Sequence, residues 1–308
     1  MKNLIFIPFA FKTGVKTGAN IHKKENGVDI YCKNLCVSLV SAKRQNPNDD
    51  VALVTNLDIP KDYEAILSKN NIMTIKIPFD EFVFDKDYKW GLAFYKLCAL
   101  SHIVREYDYD NYAYMDADTY VQRSFENIWK ECEYSILMYD INYGLHIKDY
   151  GRICAQLKDF DEKLTYPTQY GGEFFAANRK SATQFSEECM RVYKQMIERK
   201  FVTTMGDEFI ATVAANNMKK DMKNAGAYIF RFWTGSFRYI STCYEQNAIA
   251  ILHVPDEKEG GMVKLYDKYI RKGKTVKREK VHKILHLKHR KTKTFIKNLM
   301  GKYIRDMS

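Results

Sequence analysis

Tyr112-Ala113-Tyr114-Met115-Asp116-Ala117-Asp118-Thr119-Tyr120-Val121 reads as an apolar, buried strand that stops abruptly in two carboxylates. Alternate residues of a strand share a side, so Asp116 and Asp118 are expected to point one way and Ala117 the other. Two anions so placed repel unless a cation lies between them. Hard oxygen ligands suit Mg²⁺ or Mn²⁺, ions that commonly bridge to the phosphates of a nucleotide. On this reading, replacing either aspartate relieves repulsion and leaves the metal-free protein at least as stable. The pair also stands at the carboxyl end of its strand, where open α/β sheets bind their ligands.

Upstream of this stretch, residues 4–10, 51–55 and 72–78 read as strands, and 28–43, 60–68 and 92–107 as helices. Downstream, a helix is expected over 125–132 and an apolar segment runs over 135–139, whereas the polar run 140–169 carries no clear period. Gly171-Gly172 opens a strand through residue 177; helices over 180–200 and 207–217 and strands over 227–233 and 248–254 follow. Alternation of this kind predicts an α/β fold: one Rossmann-like domain with a mixed, mostly parallel sheet covered by helices on both faces. No repeat is present, and no apolar run reaches the roughly 18 residues of a spanning helix.

The chain has 308 residues, 46% of them hydrophobic and 14% aromatic, enough for a sizeable core. Its net charge of +11 is unevenly placed: residues 271–308 hold 14 Lys and Arg against Glu279 and Asp306, which leaves the rest of the chain close to neutral. A neutral body argues against nucleic acid as its partner. The expected division is a body over 1–271 and a basic tail over 272–308. Within the tail, Phe295, Ile296, Leu299, Met300, Tyr303 and Ile304 form one stripe of a helix flanked by lysines, the pattern of a helix lying on an anionic membrane surface. Seven cysteines show no Cys-x-x-Cys pair, with Cys32 and Cys36 one helical turn apart. The first residues read as a strand rather than a signal peptide, so the expected location is cytoplasmic, with peripheral membrane association.

Phe94-Tyr95-Lys96-Leu97-Cys98-Ala99-Leu100, the stretch around Asp116-Ala117-Asp118, and Ile251-Leu252-His253-Val254-Pro255-Asp256-Glu257-Lys258 together resemble a GT-A glycosyltransferase. The group most similar is that of glycogenin and the bacterial lipooligosaccharide galactosyltransferases, and the likeness runs over about residues 1–265. The resemblance implies a metal-dependent enzyme that moves a hexose or N-acetylhexosamine from a UDP-sugar to a glycan or a lipid-linked glycan. It implies Mn²⁺ or Mg²⁺ held by Asp116, Asp118 and His253, with Ala117 beside the donor. Lys258 would offset charge on the departing diphosphate, and Gly260-Gly261 suggest a flexible segment there. Lys96 would reach the donor sugar or phosphate. Asp207 and Glu208 would face the donor sugar, and Gly171-Gly172-Glu173 would lie beside it. Phe9, Ala10 and Phe11 are placed at the nucleobase by position.

Two departures stand out: Pro255-Asp256-Glu257 where the group has glycine, and Glu208 where it has an amide. Together with Lys96, the carboxylates Glu173, Asp207 and Glu208 are the catalytic candidates, and the sequence assigns the acid–base role to none of them individually. Arg231-Phe232-Trp233 through Arg238 reads either as a strand edge with salt-bridged arginines or as an acceptor-sugar platform. Two other functions remain to be weighed: a sugar nucleotidyltransferase, for which Gly14-Val15-Lys16-Thr17-Gly18 would be the phosphate loop, and a non-enzymatic polyanion binder acting through the tail.

Overall fold

Leu4-Ile5-Phe6-Ile7 lacks the polar alternation of a half-wet strand, and all four side chains are buried in the structure, a computed structural model that describes residues 1–11, 27–84, 88, 90–141, 147–164, 167–235, 245–287, 296 and 300. Chain order is β1 (Asn3–Phe9), α1 (Gly27–Gln45), β2 (Asp50–Thr55), α2 (Lys61–Lys69), β3 (Met73–Lys76), α3 (Tyr95–Glu106), β4 (Asn111–Met115) and β5 (Thr119–Val121). Next come α4 (Ile128–Cys132), β6 (Ile136–Asp140), α5 (Ile147–Phe160), β7 (Tyr170–Asn178), α6 (Arg179–Glu198), α7 (Asp207–Asn217) and β8 (Met222–Asn224). The chain closes with β9 (Ile229–Arg231), β10 (Ile251–His253), α8 (Val263–Leu265) and α9 (Arg278–Ile284).

Seven strands form one sheet in the order β3-β2-β1-β4-β7-β6-β8, and β5-β10-β9 form a second, smaller one. In the large sheet only β7 runs antiparallel to its neighbours, β4 and β6. The α/β class and mostly parallel sheet are therefore as expected. Both faces of this sheet are dry. Ile5, Ile7, Val51, Leu53, Ala113 and Met115 pack with α1 and the small sheet, whereas Leu4, Phe6, Ala52, Val54, Tyr112 and Tyr114 pack against α3, α6 and α7. Burial on both faces explains why these strands read as apolar runs.

Several elements differ from the sequence reading. The polar run 140–169 contains α5, whose Ile153, Leu157 and Phe160 fall one turn apart and are buried. The strands expected over 227–233 and 248–254 shrink to three residues each, because Ala225–Ala227 and Glu245–Asn247 coil into short helical turns. The segment expected to be flexible at Gly260-Gly261 is helical from Lys258 to Ile270. Its glycine at 261 serves close packing: a Cβ there would lie 2.7 Å from Glu257 Oε2 and 2.9 Å from the Ile284 carbonyl.

Past residue 271, Val281, Leu285 and Leu287 are buried in the same core as α1, and His282 Nε2 meets Gln122 Oε1 at 2.6 Å. Of the apolar stripe in the tail only Ile296 and Met300 are described, both exposed; Phe295, Leu299, Tyr303 and Ile304 lie outside the described residues, as do Gly14-Val15-Lys16-Thr17-Gly18 and Arg238. No helix among the described residues is long and apolar enough to cross a membrane.

Candidate active site

Strand β1 has β2 on one side and β4 on the other, so the chain leaves the sheet in two directions at its centre. A crevice beyond the carboxyl ends of such strands is where α/β sheets hold ligands. Phe9-Ala10-Phe11 and Asp116-Ala117-Asp118 occupy these ends.

The aspartates are not in a strand, as the sequence suggested, but in a turn. Pairing of β4 with β7 ends at Met115 opposite Phe174, and the Asp116 amide donates to the Glu173 carbonyl at 3.0 Å. The chain then crosses to the small sheet, where β5 pairs with β10. Thr119 Oγ1 closes the turn by donating to the Asp116 carbonyl at 2.8 Å, and Ser38 Oγ lies 2.5 Å from that hydroxyl. Register in the small sheet completes the site: His253 stands opposite Thr119 on one side and Arg231 on the other. The Val254 amide donates to the Asp118 carbonyl at 3.0 Å.

Ligand atoms of Asp116, Asp118 and His253 lie within 4.8 Å of one another. His253 Nε2 is 3.3 Å from Asp118 Oδ2 and 3.8 Å from Asp116 Oδ2. Lys258 Nζ approaches Asp118 Oδ2 to 2.8 Å, although this buried oxygen has no well-aligned hydrogen bond. Two carboxylates and an imidazole form a mixed oxygen and nitrogen set whose chemistry fits Mn²⁺ or Mg²⁺. Pro255–Glu257 makes one tight turn, Pro255 at its start, that brings Lys258 round to Asp118. Asn34 Nδ2 holds the Lys258 carbonyl at 3.0 Å.

Around this centre the charges are locked in pairs. Lys96 Nζ contacts Asp116 Oδ1 at 3.1 Å and Asp207 Oδ2 at 2.9 Å, and donates to the Gly172 carbonyl at 3.0 Å. Arg231 grips Glu173 with two hydrogen bonds, Nε to Oε1 at 2.7 Å and Nη2 to Oε2 at 2.6 Å, and reaches Glu208 Oε1 at 3.0 Å. Glu173 Oε1 faces His253 Nδ1 at 3.3 Å. A Cβ at Gly171 would collide with Glu173 Oε2, and one at Gly172 with Asp207 Oδ2, so both glycines are required by the packing of these acids.

Burial opposes each charge here, and the partners decide the outcome. Lys258 and His253 outweigh desolvation at Asp118 and hold its carboxyl well below the ordinary range. Arg231 and His253 do the same for Glu173. Burial pulls the His253 imidazolium down, but Asp118 and Glu173 hold it up at about 9. Asp207 and Glu208 go the other way: burial pushes both carboxyls up despite Lys96 and Arg231 respectively.

Metal ligation requires a neutral imidazole, so below a pH of about 9 cation binding displaces the His253 proton. Between pH 7 and 8, Mn²⁺ affinity is expected to rise about tenfold with one proton released, measured by calorimetry in buffers of different ionisation enthalpy. A pH-independent affinity would remove His253 from the ligand set.

The remaining expected residues divide by environment. Glu173 is fully buried and doubly bonded to Arg231, an arrangement that orients His253 and leaves the carboxylate inaccessible to an incoming hydroxyl. Asp207 is buried against Lys96; Glu208 is the most open of the three acids. Lys96 is saturated by three acceptors. The Phe9 ring lies edge-on to Phe11, with centroids 4.5 Å apart, and 4.7 Å from Tyr31; Asn56 pins the Phe11 backbone in both directions. Burial raises the Tyr31 phenol to about 12, with Lys258 opposing and Asp118 adding to the shift, so its hydroxyl shares the field of the carboxylate turn. The strand-edge reading with a salt-bridged arginine holds for Arg231; what the sequence did not supply is the identity of its partners, which lie 58 and 23 residues away. No local pattern could report it.

No protein-family model matches the sequence, and no curated protein matches it. Among solved structures, the galactosyltransferase LgtC in complex with donor and acceptor sugar analogs superimposes with a TM-score of 0.55 at 14% identity, covering 92% of this chain and 99% of that one. Mouse xyloside xylosyltransferase 1 in its apo form gives a TM-score of 0.53 at 11% identity, covering 82% of this chain and 97% of that one. At these identities the likeness is one of fold, and that fold is the GT-A type expected above.

Proposed function

We propose that this chain is a metal-dependent glycosyltransferase that moves a hexose or N-acetylhexosamine from a UDP-sugar to a glycan or lipid-linked glycan. The observation that carries the proposal is the convergence of Asp116, Asp118 and His253 beside Lys258, at the carboxyl ends of β4 and β10. It occurs in a fold shared with two glycosyltransferases.

When bound, a Mn²⁺ or Mg²⁺ ion would supply Lewis-acid stabilisation of the leaving diphosphate. Asp116, Asp118 and His253 would hold it, and Glu173, clamped by Arg231, orients the His253 ring. Lys258 sits on a rigid helical turn and releases its hold on Asp118 to meet phosphate charge as it develops. Lys96 acts through Asp116 and Asp207, fixing the carboxylates rather than reaching the donor itself. Glu208, the most open acid and one whose carboxyl burial pushes up, is suited to hydrogen-bond a sugar hydroxyl. Phe9, partly exposed and backed by the buried rings of Phe11 and Tyr31, is the aromatic surface suited to the nucleobase.

The test is a thermal-shift panel of nucleotide-sugars with and without Mn²⁺, because a ligand that binds only the folded state raises Tm. At a concentration 100 times Kd the stabilisation is about 2.7 kcal/mol. One UDP-sugar raising Tm only when Mn²⁺ is present is the expected result. A flat panel, or stabilisation by nucleoside triphosphates alone, would defeat the proposal.

A further inference from the structure

Helix α3 carries Lys96 into the candidate active site and, on another side, Cys98, His102 and Glu106 at successive four-residue intervals. Asp80, in the loop after β3, lies over them. His102 is held between two carboxylates, Nε2 at 2.9 Å from Asp80 Oδ1 and Nδ1 at 2.7 Å from Glu106 Oε1. Cys98 Sγ is 3.7 Å from the same Asp80 oxygen and 3.4 Å from the Pro78 carbonyl. The sulfur, His102 Nε2 and the Asp80 oxygen all lie within 4.8 Å of one another.

In the neutral tautomer whose Nδ1 donates to Glu106, the Nε2 lone pair is turned onto a carboxylate oxygen. Two lone pairs at 2.9 Å repel unless something positive lies between them. A proton would serve, giving an ordinary ion pair in which Cys98 has no part. A metal ion would use all three groups. With bonds of about 2.3 Å to sulfur and about 2.0 Å to nitrogen or oxygen, a tetrahedral ion needs ligand atoms roughly 3.3–3.5 Å apart. Observed separations of 2.9 and 3.7 Å bracket that figure. A thiolate favours a borderline ion such as Zn²⁺ over Mn²⁺ or Mg²⁺, and a histidine whose other nitrogen donates to a carboxylate is the common arrangement at zinc.

We propose that Asp80, Cys98 and His102 form a zinc site, with Glu106 orienting His102. The thiol proton leaves to solvent on binding, and a water would complete the ligand set. The ion would tie the loop at 78–81 to α3 and so to the helix that positions Lys96. It is separate from the Asp116, Asp118 and His253 cluster in both place and ligand chemistry, and it does not depend on the function proposed above.

The test uses the intact protein, stripped with chelator and titrated with Co²⁺ and then Zn²⁺. One equivalent of Co²⁺ is expected to produce the near-ultraviolet thiolate-to-cobalt band, and Zn²⁺ to bleach it. Cys98→Ser should remove the band and Asp116→Asn should retain it. His102→Gln should weaken Zn²⁺ binding at least tenfold, and Glu106→Gln roughly 10–100-fold. Absence of the band at excess Co²⁺, or its persistence in Cys98→Ser, overturns the proposal. Unchanged Zn²⁺ affinity in both His102→Gln and Asp80→Asn does so too, and the exposed Asp80 position serves if the buried serine variant fails to fold.

Discussion

Asp118→Asn is expected to lower turnover of a UDP-sugar by at least about a thousandfold, the several kcal/mol that a Lewis acid contributes at a leaving diphosphate. Transfer to water suffices as the assay, so no acceptor need be known. Electron paramagnetic resonance should show Mn²⁺ affinity falling in parallel. The same change is expected to destabilise the metal-free protein, contrary to the view that two neighbouring aspartates merely repel. In the structure Asp118 faces Lys258 at 2.8 Å and His253 at 3.3 Å, with Asp118 and His253 buried and Lys258 largely so. Removing the anion leaves two cations facing each other; breaking a buried pair in this way costs about 3–5 kcal/mol, and deprotonation of His253 keeps the cost near the lower figure. Unaltered Mn²⁺ affinity would show that Asp118 is not a ligand, and a Tm in chelator equal to that of the parent would show that its pairing with Lys258 and His253 does not stabilise the fold.

Arg231→Gln should produce the other large effect. In the parent, Arg231 and His253 hold the Glu173 carboxyl below its ordinary value, so the pairing stabilises the fold above the unfolded-state pKa and is lost as pH falls through the folded one. Without the guanidinium, burial dominates and the folded-state pKa of Glu173 rises above the unfolded value. The variant is then penalised at high pH and relieved as pH falls. Glu208, already pushed up by burial, moves in the same direction. At pH 7.5 in chelator the loss is about 3–5 kcal/mol, or on the order of 5–10 °C in Tm, and the gap to the parent should narrow toward pH 5. A gap that stays constant across this range would mean that Arg231 contributes packing alone.

How much was legible in the sequence follows from the range of each interaction. Strands buried on both faces announce themselves as apolar runs, and α7 opens at Asp207 as its pattern indicates. Asp116, Asp118 and His253 were singled out because carboxylates and an imidazole at the ends of apolar runs are locally anomalous. Their company was not legible. Arg231 finds Glu173, and Lys96 finds Asp207, only through sheet register and helix packing. The crossing of Asp116-Ala117-Asp118 from one sheet to another was hidden too, since Thr119-Tyr120-Val121 resumes strand-like character directly after the carboxylates. At Gly260-Gly261 the glycines reflected close packing rather than freedom, and composition does not distinguish the two.

The pairing of β5 with β10 also sets a schedule for biosynthesis. A ribosome releases Asp118 and Glu173 well before it has made Arg231, His253 or Lys258, and no part of the small sheet can assemble until β10 has emerged. Contacts of such long sequence separation are slow to form, because the intervening chain must be gathered first. Until then the nascent body carries two acids destined for burial without their cations, and completing the cage is bound up with the last topological step of folding.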